Sequence, residues 1–305
     1  MPINKSTSRR EFIKSALATS ITATALSSVS FCSSEQKKNL QKISGMHLGL
    51  VTYLWGRDWD LETLITNCEE ADFKAVELRT QHAHGVEPSL DQKQRAAVKA
   101  RFDDSPVVCV GYGSNQEFHS PDPDALEQQI NGTYELIKLC FDIGATGVKV
   151  KPNNLPEGVP PEQTIEQIGT SLNKVGKFAQ DYGQEIRVEV HGRQTQLPAN
   201  MKSIFDHVTE PNVKICWNCN RQDLVEPGLA HNFDMLKKWF GSTVHIREMN
   251  SEEYPYQELF DLFVSNQYSG YILLEARTEP DDRVAAMKEQ KEIFENMISN
   301  AKAKI

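Results

Sequence analysis

From His47 onward short apolar runs alternate with longer stretches whose apolar residues recur at helical spacing. That is the pattern of repeated strand–helix units rather than of a sandwich or a helical bundle. Eight short runs read as strands: HLGLVTY (47–53), KAVELR (74–79), VVCVGY (107–112), GVKVKP (147–152), EIRVEV (185–190), VKICWN (213–218), TVHIRE (243–248) and YILLEA (271–276). Between them lie helical stretches such as LETLITNCEEA, ALEQQINGTYELIKLCFDIG and TIEQIGTSLNKVGKFAQDYG. The last two end at Gly144 and Gly183, where a left-handed residue commonly stops a helix. Asp281 and Asp282 open the final helix, their negative charge complementing its N-terminal dipole. Eight strands each followed by a helix, without a long insertion, predict an α/β protein of (β/α)8 TIM barrel form, for which about 250 residues is typical. An open doubly wound sheet is the rival arrangement. No GxGxxG follows the first strand, so a dinucleotide site has no support.

The barrel accounts for residues 46–305 of the 305-residue chain, and what precedes it reads differently. Ser8–Lys14 spell SRREFIK, and an apolar, small-residue stretch runs from Ser15 to Phe31. Residues 1–32 thus resemble a twin-arginine export signal, whose apolar part is too short to span a bilayer comfortably. Cys32 followed by SSEQKKN resembles the lipid-modified cysteine of a bacterial lipoprotein, although Phe31 stands where such signals carry a small residue. Acylation of Cys32 and cleavage nearby are both left open, and either implies a location outside the cytoplasm: periplasmic, or tethered to the membrane facing it. Residues 33–45 read as a polar linker.

A net charge of −9 and the lack of a basic cluster beyond the signal argue against a nucleic-acid partner. Five cysteines follow Cys32, an odd number without zinc-type pairing, and Cys216 and Cys219 are expected to be packing residues.

In a barrel of this kind the chemistry gathers at the C-terminal ends of the strands. Here those ends carry Glu77 and Arg79, Glu117 and His119, Lys149 and Lys151, Glu189 and His191, Asn218, His245 and Arg247, and Glu275, with His82 and His84 just past the second strand. So many ionisable groups on apolar strands would be costly to bury unpaired, and a bound cation removes the difficulty. Glu189, Asn218, His245 and Glu275 offer two carboxylates, an amide oxygen and an imidazole. That mixed set suits one divalent cation, Mn first, with Mg, Co, Zn or Fe as alternatives, and not a closed thiolate zinc site. For His82, His84 and His119 a loop or hydrogen-bonding role competes with a functional one.

These residues make the chain resemble the xylose isomerase-like barrel superfamily, in particular its sugar isomerase and epimerase branch, which includes the ketose 3-epimerases. The resemblance spans the whole barrel. In that branch a Glu ending strand five, an Asp or Asn ending strand six, a His on strand seven and a Glu ending strand eight bind one divalent metal. Glu189 in VEVHG, Asn218 in CWNCN, His245 in VHIRE and Glu275 in LLEAR match those positions. The resemblance further implies that Glu189 and Glu275 act as paired acid and base, and that His191 and Arg247 contact the substrate. Lys151, His119 and Glu77 join them as candidate substrate-binding residues. Asn218 stands where Asp is common, which removes a negative charge from the site; Asp223 is a candidate substitute.

The chemistry implied is removal of a proton beside a carbonyl, through a metal-stabilised enediolate, on a non-phosphorylated sugar, since an exported enzyme meets free sugars and glycosides. Two alternatives remain: a lyase eliminating the aglycone of a 3-keto-glycoside at the same metal site, and a non-catalytic exported sugar-binding protein using Trp55, Trp59 and Trp217 as stacking faces. A nuclease on the same barrel is opposed by the absence of a His cluster after strand six and of a cationic track. The expected partner is therefore a small-molecule sugar or keto-glycoside, with membrane contact only through Cys32; a homo-oligomer is compatible with the sequence.

Overall fold

All eight apolar runs form parallel strands in a computed structural model that describes residues 44–305. In chain order they are β1 (Met46–Val51), β2 (Ala75–Arg79), β3 (Val108–Glu117), β4 (Gly147–Lys151), β5 (Glu185–Glu189), β6 (Val213–Cys216), β7 (Thr243–Ile246) and β8 (Gly270–Leu274). Each is followed by a helix: α1 (Leu61–Glu70), α2 (Gln92–Asp103), α3 (Pro123–Asp142), α4 (Pro161–Asp181), α5 (Pro198–Asp206), α6 (Leu229–Leu236), α7 (Tyr256–Ser265) and α8 (Arg283–Lys302). The export-type signal, Cys32 and the linker as far as residue 43 lie outside the described residues. Among those described, no helix is long and apolar enough to cross a membrane.

The staves follow sequence order from β6 back to β1, and β1 pairs with β8, which pairs with β7. The remaining seam, between β6 and β7, is closed past the end of β6, where Asn218 and His245 form a parallel bridge. His245 N–H donates to the Trp217 carbonyl at 2.7 Å, and Cys219 N–H to the His245 carbonyl at 3.4 Å. Barrel closure therefore sets Asn218 beside His245.

The capping signals in the sequence operate as expected. Gly144 and Gly183 follow their helices with φ of +80° and +62°, and the Asp282 side chain accepts the Ala285 N–H at the start of α8. β3 runs beyond the expected end at Tyr112, because Glu117 still pairs with Lys151 of β4 although the register slips between Gly113 and Glu117.

Apolar faces of staves and helices share one continuous core, in which Trp217 is sealed against Phe233 and Phe240. Low in the barrel Arg187 is fully buried. It donates from Nε to Glu185 and from its terminal nitrogens to the Val110 carbonyl, Thr146 and Ser242. A charge taken this far from water is tolerable only with such a full set of partners. The five cysteines beyond the signal are buried and unpaired, as packing residues should be.

Candidate metal and active site

Side chains alternate along a strand, so residues two apart on each stave point into the barrel. Glu77, Lys149, Glu189 and His245 use that position on four different staves and are all buried, joined by Glu275 just past β8 and Asn218 just past β6. One donor atom from each of Glu189, His245 and Glu275 lies within 4.8 Å of the others. Ligands about 2.1 Å from a common cation sit at most roughly 4.2 Å apart. Side-chain shifts of about half an ångström are therefore enough for these three to share one ion.

The hydrogen bonds around the group define its polarity. Glu189 Oε1 accepts from the Asn218 amide at 2.8 Å, and Oε2 from the Lys149 ammonium at 2.5 Å. Burial by itself would raise the Glu189 pKa, but Lys149, His245 and His191 outweigh it and hold the carboxyl well below its usual range. His245 Nε2 is 3.2 Å from Glu77 Oε1, while its Nδ1 faces Glu189 Oε1 at 4.0 Å. Neither ring nitrogen has a well-formed hydrogen bond, though both are buried. An imidazole with Nδ1 free and aimed at two carboxylates is a fitting metal ligand, and the residues present suit a divalent cation.

Glu275 stands between two arginines, with Arg277 Nη2 at 2.9 Å from Oε2 and Arg79 Nη1 at 3.8 Å from Oε1. Both guanidinium groups lie over the Tyr53 ring.

Glu77 has a different place from that of a substrate contact. It is fully buried on β2 behind His245, on the far side of the ring from Glu189. His191 hydrogen-bonds through Nδ1 to Asn153 Oδ1 at 3.0 Å, which leaves Nε2 for another partner; burial lowers its pKa. Asn153 and Asn154 pair in parallel with Gly192 and Arg193, a two-residue ribbon above the barrel rim that nothing in the apolar pattern announced. Gly192 is required there, since its φ is +97° and a Cβ would fall 2.0 Å from the Asn153 carbonyl oxygen. Asn153 also donates to Glu117, whose Oε1 lies 4.0 Å from His119 Nδ1. Arg247 Nε is buried without a hydrogen-bond partner, and the side chain lines a cavity of about 540 Å³ together with Trp55, Tyr254, Tyr256, Arg277 and Gln290.

Other candidates lie apart from the group. His84 donates from Nε2 to the Arg79 carbonyl and accepts the Val86 N–H at Nδ1, so both its nitrogens shape the loop after β2. His82 Nδ1 meets Thr52 Oγ1, and burial pushes its pKa down to about 4. Asp223 does not join the converging donors, because its Oδ2 is held by the Asn220 N–H and the Tyr254 hydroxyl. Trp217 and Trp59 are buried, and Trp55 is tied through its indole N–H to the Thr278 carbonyl, so none offers an open ring for stacking. Among the described residues no second group of three histidine, cysteine or carboxylate donors converges.

Closed barrel and rim together define a (β/α)8 protein with a buried Glu–His–Glu donor group at its C-terminal mouth. The chain belongs to the xylose isomerase-like TIM barrel family, whose model matches residues 65–297. Solved structures of similar fold include an L-ribulose 3-epimerase, 15% identical, with a TM-score of 0.74 over 85% of this chain and 96% of that one. The 3-keto-D-glucoside 4-epimerase of E. coli is 14% identical, with a TM-score of 0.69 over 82% of this chain and 99% of that one. A third, the IOLI protein with a bound zinc atom, is 12% identical with a TM-score of 0.72 over 84% and 99%. At these identities the likeness is one of fold. No curated protein sequence matches the chain significantly.

Proposed function

We propose that the protein is a divalent-metal-dependent sugar epimerase or isomerase, acting on a non-phosphorylated sugar by moving a proton at the carbon beside a carbonyl. The observation that carries this is the convergence of Glu189, His245 and Glu275 on one point at the barrel mouth. Asn218 completes the ligand set once its amide, which now donates to Glu189, is flipped to present its oxygen. The cation, Mn foremost, supplies Lewis-acid stabilisation to the substrate oxygens beside the carbon that loses its proton.

Glu189 and Glu275 are the acid–base pair. They rise from β5 and β8, with two staves between them on the shorter way round, so a proton taken by one can be returned by the other on the opposite face of the carbon. Lys149 keeps Glu189 ionised, and Arg79 and Arg277 fix the Glu275 carboxylate from two sides. His191 Nε2 and the Arg247 guanidinium hold sugar hydroxyls, with Lys151 and His119 at the outer rim. Ligand identities and family membership support this reading, as do the sugar epimerases among the similar folds.

The decisive experiment loads the protein with Mn and follows deuterium uptake from heavy water beside the carbonyl of ketoses, aldoses and 3-keto-glycosides. Exchange that is abolished by Glu275→Gln with the fold intact supports the assignment; full exchange in that variant refutes it. A second reading, elimination of an aglycone from a 3-keto-glycoside, is favoured by the cavity lined by Arg247 and Arg277, which has room for a leaving group beside Glu275. Aglycone release in the same assay identifies it. We further propose that residues 1–32 export the barrel of residues 46–305, with or without a lipid at Cys32. Cell fractionation of the Arg9→Lys, Arg10→Lys variant tests this, and an unchanged distribution contradicts it.

A further inference from the structure

The cations at the mouth outnumber the carboxylates of the donor group in a protein that carries a net charge of −9. Lys149 is committed to Glu189, and Arg277 and Arg79 to Glu275. Lys151 is different. Half-buried at the end of β4, it has no carboxylate within ion-pair distance among the described residues. Its cross-strand neighbour Glu117 is engaged by Asn153 and faces His119.

Among the described residues the one hydrogen bond of the Lys151 ammonium, at 3.5 Å, goes to Asn115 Oδ1, and that same oxygen accepts from Arg79 Nη2 at 3.2 Å. Two cations thus converge on one neutral amide oxygen, carried by an exposed side chain. Like charges drawn together around an uncharged acceptor repel, and partial burial adds to the cost. The Arg79 fork lies over the Tyr53 ring, and its other terminal nitrogen faces the Glu275 carboxylate at 3.8 Å. A small oxyanion displacing the Asn115 side chain would relieve the repulsion with two charge-assisted hydrogen bonds.

We propose that the substrate is a sugar acid, whose carboxylate sits between Arg79 and Lys151 while its carbonyl end reaches Glu189, His245 and Glu275. This deepens the functional reading above and rests on it. A phosphate ester offers similar oxygens, and the test separates the two.

Calorimetric titration of the full chain with D-fructose, D-fructuronate and D-fructose 6-phosphate reads the preference directly, with or without turnover. Fructuronate is expected to bind about 10-fold or more tightly than fructose. The preference should fall to near unity in Lys151→Met and return largely in Lys151→Arg, and added salt should weaken it. Fructuronate binding no tighter than fructose overturns the proposal. So does a preference that survives both Lys151→Met and Arg79→Met, or tighter binding of the phosphate ester. Should deuterium exchange fail with every sugar while the preference holds, the catalytic reading falls and the oxyanion site stands.

Discussion

Replacing Glu77 by Gln probes the site without touching the proposed ligands or the mouth. Glu77 and His245 are both fully buried, and Glu77 Oε1 is 3.2 Å from the ring nitrogen turned away from Glu189. A carboxylate at that nitrogen fixes which nitrogen carries the proton, holds the ring in plane with the other donors and makes its Nδ1 a better electron donor. Losing such a partner typically weakens metal binding about 10- to 100-fold, and each factor of ten is about 1.4 kcal/mol. Gln keeps an acceptor oxygen in the same place, so Glu77→Gln belongs near the 10-fold end. Glu77→Ala, which leaves the buried Nε2–H without a partner, belongs near 100-fold. Competition titration with a chromophoric chelator measures the affinity for Mn and Zn, and circular dichroism confirms the fold. Unchanged affinity in both variants would show that Glu77 does not act on the site through His245.

Arg187→Met should destabilise the barrel by about 3–5 kcal/mol in chemical denaturation, because Glu185 loses its buried partner. Burial raises the Asp223 pKa from 3.8 to about 7, so the folded state holds a proton that the unfolded chain has released. Its contribution to stability is complete below pH 4 and is lost as pH rises to 7; Asp223→Asn should therefore gain on the wild type between about pH 4 and pH 7, by on the order of a few kcal/mol, and no further above that. A pH-independent difference in denaturation midpoint would contradict that. Gly192→Ala should distort the ribbon under His191 and lower both thermal stability and sugar affinity, whereas wild-type values for both would show that the backbone yields without cost. Chelator treatment should abolish exchange and lower the melting temperature, and the added metal should restore both.

The staves were legible because each is an apolar run flanked by amphipathic helices, a signal that needs no long-range information. The donors were legible for a related reason. A Glu or His at the end of an apolar strand, as in VEVHG or LLEAR, breaks the local pattern, and in this fold that position has a known destination. What the sequence hid depends on pairing across the barrel. The ribbon joining Asn153 to Gly192 consists of two residues on each side, too short for any periodicity, and it decides how His191 is presented. Glu77 looked like its neighbours at the strand ends, yet β2 places it lower in the lumen, behind His245. Arg277 and Tyr53 lie in loops just past β8 and β1, where nothing in their spacing shows that they meet Arg79 around Glu275.

The same distinction bears on charge. From the sequence, the many ionisable groups at strand ends called for a cation to make their burial tolerable. The structure shows that the protein already supplies cations of its own: Lys149 for Glu189, and Arg79 with Arg277 for Glu275. A divalent ion entering the group therefore competes with ammonium and guanidinium groups, and it leaves the mouth more positive than it found it. A substrate that arrives with its own negative charge, and gains more as the proton leaves, restores the balance; a neutral sugar restores it only during the reaction. The charge count, which adds Lys149 and Arg277 to the two cations that share the Asn115 oxygen, favours the sugar acid as well.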